Sequence, residues 1–173
     1  MPEMTIRTGQ SISGPASTVW SLLCNSRMDD TTTLLFRLGV PHPVRCRVPD
    51  GHGGVGSERE CESDRGIVHQ RILEWEPEKR LTIRMERTDL GIQKYVREMV
   101  ETFDLVGISG GVRVTRTTRV WTHGRFRTLK KMVLYFGLKQ VHWYVFRNWR
   151  RLADRENLAS RTPGMGSPMS PVV

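Results

Sequence analysis

The chain has 173 residues, a formal charge of +9 and 38% hydrophobic residues, which suits one domain with a full core and excludes a disordered chain. No apolar run approaches the roughly 18–20 residues of a membrane span, and the opening MPEMTIRTGQSISG has no secretion-type apolar segment. A cytoplasmic protein is expected, with Cys24, Cys46 and Cys61 as reduced thiols, because an odd count with no zinc-like spacing fits neither a disulfide framework nor a metal site.

Met4 to Ile12 alternates as a strand, with Met4, Ile6 and Ile12 on one phase. Gly14-Pro15 ends it. Pro15 suits the first turn of a short helix, Ala16 to Cys24, with Ser13 as cap and Val19, Trp20, Leu22 and Leu23 inside. A second helix is predicted from Asp29 to Leu38, capped by Asp29 or Asp30 and stopped by Gly39. Val44, Cys46 and Val48 then alternate with arginines as a strand. Gly51, Gly53, Gly54 and Gly56 mark a mobile loop.

Ser57–Ser63 and Ile67–Trp75 read as a hairpin around Asp64-Arg65-Gly66. Leu81, Ile83 and Met85 define another strand. Arg97–Val106 and Val112–Trp121 form a second hairpin turned at Gly107–Gly111. The longest periodic segment runs from Phe126 to about Leu158, with Leu134, Leu138, Val141, Val145, Trp149 and Leu152 on one helical face. An unstructured tail is expected over 161–173, leaving residues 1–160 as the domain. The implied fold class is α+β. A curved antiparallel sheet of about seven strands grips a long C-terminal helix, with two short helices after the first strand, and a cavity is expected between helix and sheet.

The order of motifs resembles the START-like SRPBCC superfamily, and its polyketide cyclase/dehydrase branch in particular. The resemblance rests on Ile12-x-x-Pro15-x-x-x-Val19-Trp20, on Gly54-x-Gly56-x-x-Arg59-x-Cys61 followed by Gly66, and on Ile72-x-x-Trp75-x-Pro77-x-x-Arg80-Leu81. It covers about residues 6–154 and implies a helix-grip fold with a pocket for an apolar ligand or substrate. Ser63 and Gln70 depart from it, standing where that branch commonly has an aromatic and often an acid. A carboxylate-dependent reaction at residue 70 is therefore not expected.

Arg59 alternates with Glu58, Glu60 and Glu62, so it should point inward and need an anionic or carbonyl partner, either a ligand head or an internal acid. Glu101 shares its phase with Met99, Phe103 and Leu105. It is a candidate general base, or else the neutraliser of Arg59 or of another inward arginine. His142 on the long helix is a candidate for proton transfer, or a satisfied boundary residue. His69 lies in a strand with no acidic neighbour in sequence, and Cys61 is read as a small hydrophobe rather than a nucleophile. Arg59, Cys61, Gln70, Met85, Phe103, Val141 and Val145 are the expected ligand contacts. No metal site and no cofactor are expected.

Residues 113–161 hold 13 Lys/Arg against two acids, whereas the rest of the chain holds 14 against 16. The helix segment 132–146 is also apolar on more than one face. A basic, aromatic helix suits an anionic membrane surface or a homodimer interface, or it packs against the domain itself. Nucleic acid is not expected, since no recognition motif accompanies the charge. The expected function is binding of a hydrophobic or amphipathic small molecule, lipid-, quinone- or polyketide-like. The alternative is a cyclase or dehydratase acting in the same cavity through Arg59, Glu101 or His142.

Overall fold

The computed structural model describes residues 4–28, 34–48, 53–123 and 128–161. The chain runs β1 (Met4–Ser13), α1 (Ala16–Cys24), β2 (Ser26–Arg27), α2 (Leu34–Arg37), β3 (Pro43–Arg47), β4 (Glu58–Ser63), β5 (Gly66–Glu76) and β6 (Arg80–Thr88). A 3-10 turn (Gly91–Lys94), β7 (Val96–Ile108), β8 (Gly111–Thr122) and α3 (Thr128–Arg161) follow. All strands join one antiparallel sheet in the order β1-β8-β7-β6-β5-β4-β3-β2. Register shifts in the β3–β4, β5–β6 and β7–β8 pairs bend its strands.

The seven longer strands are those that alternation predicts. The eighth, β2, has two residues, too few for any period to register. The β4–β5 turn closes on Ser63 paired with Gly66, and the β7–β8 turn on Ile108 paired with Gly111. Gly110 has φ +77°, a left-handed conformation that favours glycine.

α3 is tied along β1. Lys139 Nζ donates to Arg7 O at 2.7 Å, His142 Nδ1 lies 3.1 Å from Thr8 Oγ1, and Asn157 Nδ2 donates to Ser13 O at 3.1 Å. These ties hold the apolar stripe of α3 over the inner face of the sheet.

The main core joins α1, the C-terminal half of α3 and the central strands. Val19, Leu23, Ile83, Phe103, Phe146 and Trp149 are among its buried members, each contributing about 1.5–3 kcal/mol by burial. A smaller cluster, Val96, Met99 and Val120 with Leu134 and Leu138 against it, sits under the N-terminal half of α3.

The helices before β3 differ from expectation. Pro15 occupies the N-cap of α1 with no side-chain cap, while Ser13 is the last residue of β1. Trp20 is only half-buried, standing edge-on to Trp75 at 4.9 Å. The described part of the second helix is four residues, Leu34–Arg37, and Asp29 and Asp30 lie outside the described residues. Gly39 does end it, at φ +111° with its N–H donating to Phe36 O. The tail expected after residue 161 also lies outside them, and Arg161 itself closes α3.

Candidate functional site

A cavity of about 390 Å³ lies between the inner face of the sheet and α3. Its walls are mainly apolar, with Val68, Met85, Met99 and Phe103 from the strands and Leu134, Leu138, Val141 and Val145 from the helix. Two features keep it from filling. Gly137 presents no side chain, and the segment Leu38–Pro41 stands at the wall beside it, with Val40 Cγ2 only 3.6 Å from where a Cβ at residue 137 would lie. Leu38 and Val133 line the cavity yet are 72% and 66% exposed, so they stand at its mouth.

The polar groups gather on the inner sheet face. Arg59 is buried, its Nη1 donating to Gln70 Oε1 at 2.5 Å and to Cys61 Sγ at 2.9 Å, and its Nη2 to Leu23 O at 3.0 Å. Burial pushes its guanidinium down to about 10, against the attraction of Glu101, so it is charged at neutral pH. Arg116 donates from Nη2 to Glu101 Oε1 at 2.6 Å and stacks over Phe103 at 5.2 Å. The Nε atoms of Arg59 and Arg116 are buried without a partner. Two buried guanidiniums thus face the cavity with Glu101 as the one buried carboxylate among the described wall residues. Glu62, also at the wall, is engaged by Arg45 at 2.7 Å.

Glu101 continues into a hydrogen-bonded chain. Thr118 Oγ1 lies 3.0 Å from Glu101 Oε1 and 2.9 Å from His142 Nε2, and His142 reaches Thr8 on the far side. His142 is fully buried and lies behind the wall rather than in it. Burial, helped by Arg116 and Lys139, pushes its imidazole down to about 2. It is neutral at neutral pH.

The structure therefore gathers Arg59, Cys61, Gln70, Met85, Phe103, Val141, Val145 and Glu101 around one cavity, and sets His142 one layer back. Sequence reasoning missed Arg116. Its signal was present, because Arg116 shares the β8 phase of Val112, Val114 and Val120, all buried. It is the other inward arginine that Glu101 neutralises. Met99 and Trp149 also line the wall, on phases that the sequence assigned to the interior.

Two further readings are corrected. Cys46 and Cys61 stand directly opposite in the β3–β4 register and are joined as a disulfide, so only Cys24 is a free thiol. Sequence spacing could not give that register. Burial pushes the Cys24 thiol up to about 11, which makes it inert at neutral pH. His69 does have acidic neighbours, since strand pairing brings Glu58 and Glu60 within 3.2 and 3.5 Å of its Nδ1. The glycine loop begins outside the described residues, at Gly51, and its described part places Gly53 against Trp75, where a Cβ would fall 2.0 Å from the indole. None of Gly53, Gly54 or Gly56 lines the cavity.

Solved structures share this architecture. The Zhui aromatase/cyclase from Streptomyces superposes with a TM-score of 0.64 at 12% identity, covering 91% of this chain and 97% of that one. Protein MLL2253 from Mesorhizobium loti gives 0.61 at 19%, covering 88% and 98%. A START superfamily protein from Mycobacterium smegmatis gives 0.58 at 9%, covering 87% and 97%. The shared architecture is the helix-grip α+β fold. At these identities the likeness concerns the fold alone. No family model and no curated protein sequence matches the chain.

Proposed function

We propose that the protein binds a hydrophobic or amphipathic small molecule, lipid-, quinone- or polyketide-like, in the cavity between sheet and α3. The observation that carries this reading is the apolar-walled space of about 390 Å³ under α3, open at one side and furnished with a few convergent polar groups. Arg59 is the anchor for an oxygen of the ligand head. Gln70 gives it a neutral acceptor rather than a carboxylate, so its charge has no ion-pair partner on β5.

Loading takes place at an anionic membrane surface. Met132, Val133, Phe136 and Trp143 are exposed on α3, Leu38 is exposed at the mouth, and Arg147 and Arg150 stand one and two turns beyond Trp143. No described helix is long and apolar enough to cross a membrane, so the contact is peripheral. Flotation with phosphatidylserine vesicles should recover the protein and lose it on Phe136→Ser. Recovery on vesicles of phosphatidylcholine alone, or a dimer that hides this face, would overturn the surface reading.

The second reading is a cyclase or dehydratase acting in the same cavity, and the Streptomyces neighbour is named an aromatase/cyclase. The buried Glu101–Arg116 pair at the cavity wall favours it, since a carboxylate there is placed to accept a substrate proton and the guanidinium beside it to stabilise the oxyanion that forms.

Native mass spectrometry of freshly purified protein, followed by organic extraction, tests the binding reading. A stoichiometric apolar companion is the expected result. No companion, together with no uptake of an added apolar probe, would overturn it.

A further inference from the structure

The proton count around Glu101 fixes how its carboxylate is held. Oε1 accepts from Arg116 Nη2 at 2.6 Å and lies 3.0 Å from Thr118 Oγ1. Thr118 has one hydroxyl proton. Directed at the carboxylate, it leaves Thr118 Oγ1 as acceptor for His142 Nε2, which must then carry the ring proton. Nδ1 in turn accepts from the Thr8 hydroxyl. The opposite direction would set the lone pairs of Thr118 and Glu101 against each other at 3.0 Å. A neutral imidazole has the one donor and one acceptor that this chain requires. Thr8, His142 and Thr118 therefore all donate toward Oε1, and Oε1 is saturated.

The outer atoms of the same pair are in the opposite condition. Among the described residues, neither Glu101 Oε2 nor Arg116 Nη1 has a hydrogen-bond partner, and both residues line the cavity. An acceptor and a donor thus stand side by side on an apolar wall that Phe103 and Met99 complete.

We propose that Glu101 and Arg116 together recognise a hydroxyl on the ligand, which donates to Glu101 Oε2 while it or a neighbouring oxygen accepts from Arg116 Nη1. The ligand class is a neutral hydroxylated apolar compound, a phenol, enol or alcohol. A plain hydrocarbon leaves both groups desolvated and unpaired, and a carboxylate has no proton to donate to Glu101 Oε2. Thr118 and His142 are positioning residues that hold Oε1 so that Oε2 is the atom presented. This inference rests on the reading of the cavity as a ligand site.

The test uses N-phenyl-1-naphthylamine, an uncharged fluorescent cavity probe, displaced by 2-naphthol or by 2-methoxynaphthalene, which lacks the donor. The native protein should prefer 2-naphthol by about tenfold, the worth of one well-made hydrogen bond. In Glu101→Gln, Arg116 and Thr118 both demand an acceptor, so the amide oxygen takes the Oε1 position and the amide nitrogen faces the cavity. The preference should then fall to parity or reverse toward the ether. Equal binding of the two compounds to native protein, or an unchanged preference in Glu101→Gln, would overturn the proposal. Failure of every naphthalene compound to bind would overturn the cavity reading, and this inference with it. Nitrogen-15 NMR of the native protein reads the chain without any variant, with Nε2–H predicted for His142 and Nδ1–H contradicting it.

Discussion

The two halves of α3 share one apolar stripe but meet different surroundings. In the C-terminal half, Phe146 and Ala153 are fully buried in the main core, and Trp149 is buried there with one side at the cavity wall. In the N-terminal half, Leu134, Leu138 and Val141 meet the cavity, and the opposite side exposes Met132, Phe136 and Trp143. One half of the helix closes a core, while the other roofs a space. The difference comes from the neighbours, since α1 and α2 are both short and lie before β3, and the segment after α2 only borders Gly137.

Substitutions should separate the halves. Phe146→Ala should lose about 3–5 kcal/mol of stability in urea unfolding, because it empties close-packed core. A loss under 1 kcal/mol would mean that this half is not packed as described. Glu101→Ala should cost a similar 3–5 kcal/mol, because it strands Arg116 in the interior. The double change Glu101→Leu with Arg116→Met should recover most of that, and no recovery would show that the ion pair is not the cause.

The pH dependence of stability follows from His142. Its imidazole takes a proton near pH 6.5 when unfolded but only near pH 2 when folded. The unfolded state therefore binds the extra proton between these values. Stability from this group is complete above pH 6.5 and is lost as pH falls, by about 1.4 kcal/mol per unit. Urea midpoints at pH 7 and pH 5 should show this loss in the native protein and much less of it in His142→Gln. Parallel profiles would contradict the buried neutral imidazole.

On the cavity half, Leu138→Ala should cost only about 1 kcal/mol, since the side chain already borders open space. It should change ligand affinity more than stability, and the reverse outcome would make the two halves equivalent. Phe136→Ser, on the exposed face, should change stability by less than about 0.5 kcal/mol while abolishing vesicle binding.

The legible parts of the sequence were those with a period. Seven strands, the long helix and the inward phases of Arg59 and Glu101 follow from alternation of period two and a stripe of period 3.6. What escaped depends on register between segments distant in sequence. The Cys46–Cys61 bond, the Glu58–His69 contact and the partnership of Arg116 with Glu101 each need a strand pairing that spacing alone does not supply. The cavity was legible as an expectation of helix over sheet. Its polar end was legible only in part, because Arg116 sits in a strand where arginines and threonines recur on both faces. The disposition of His142 behind the wall needed the helix rotation that Thr8 and Thr118 fix.

The most direct test of the central claim is a methyl and amide NMR titration of the native protein with 2-naphthol. Ligand in the cavity predicts saturable shifts at Met85, Met99, Val141 and Val145, with little change at Met132 or Trp143. Shifts confined to the outer face of α3, or no saturable shifts at all, would contradict a ligand-binding cavity beneath the helix.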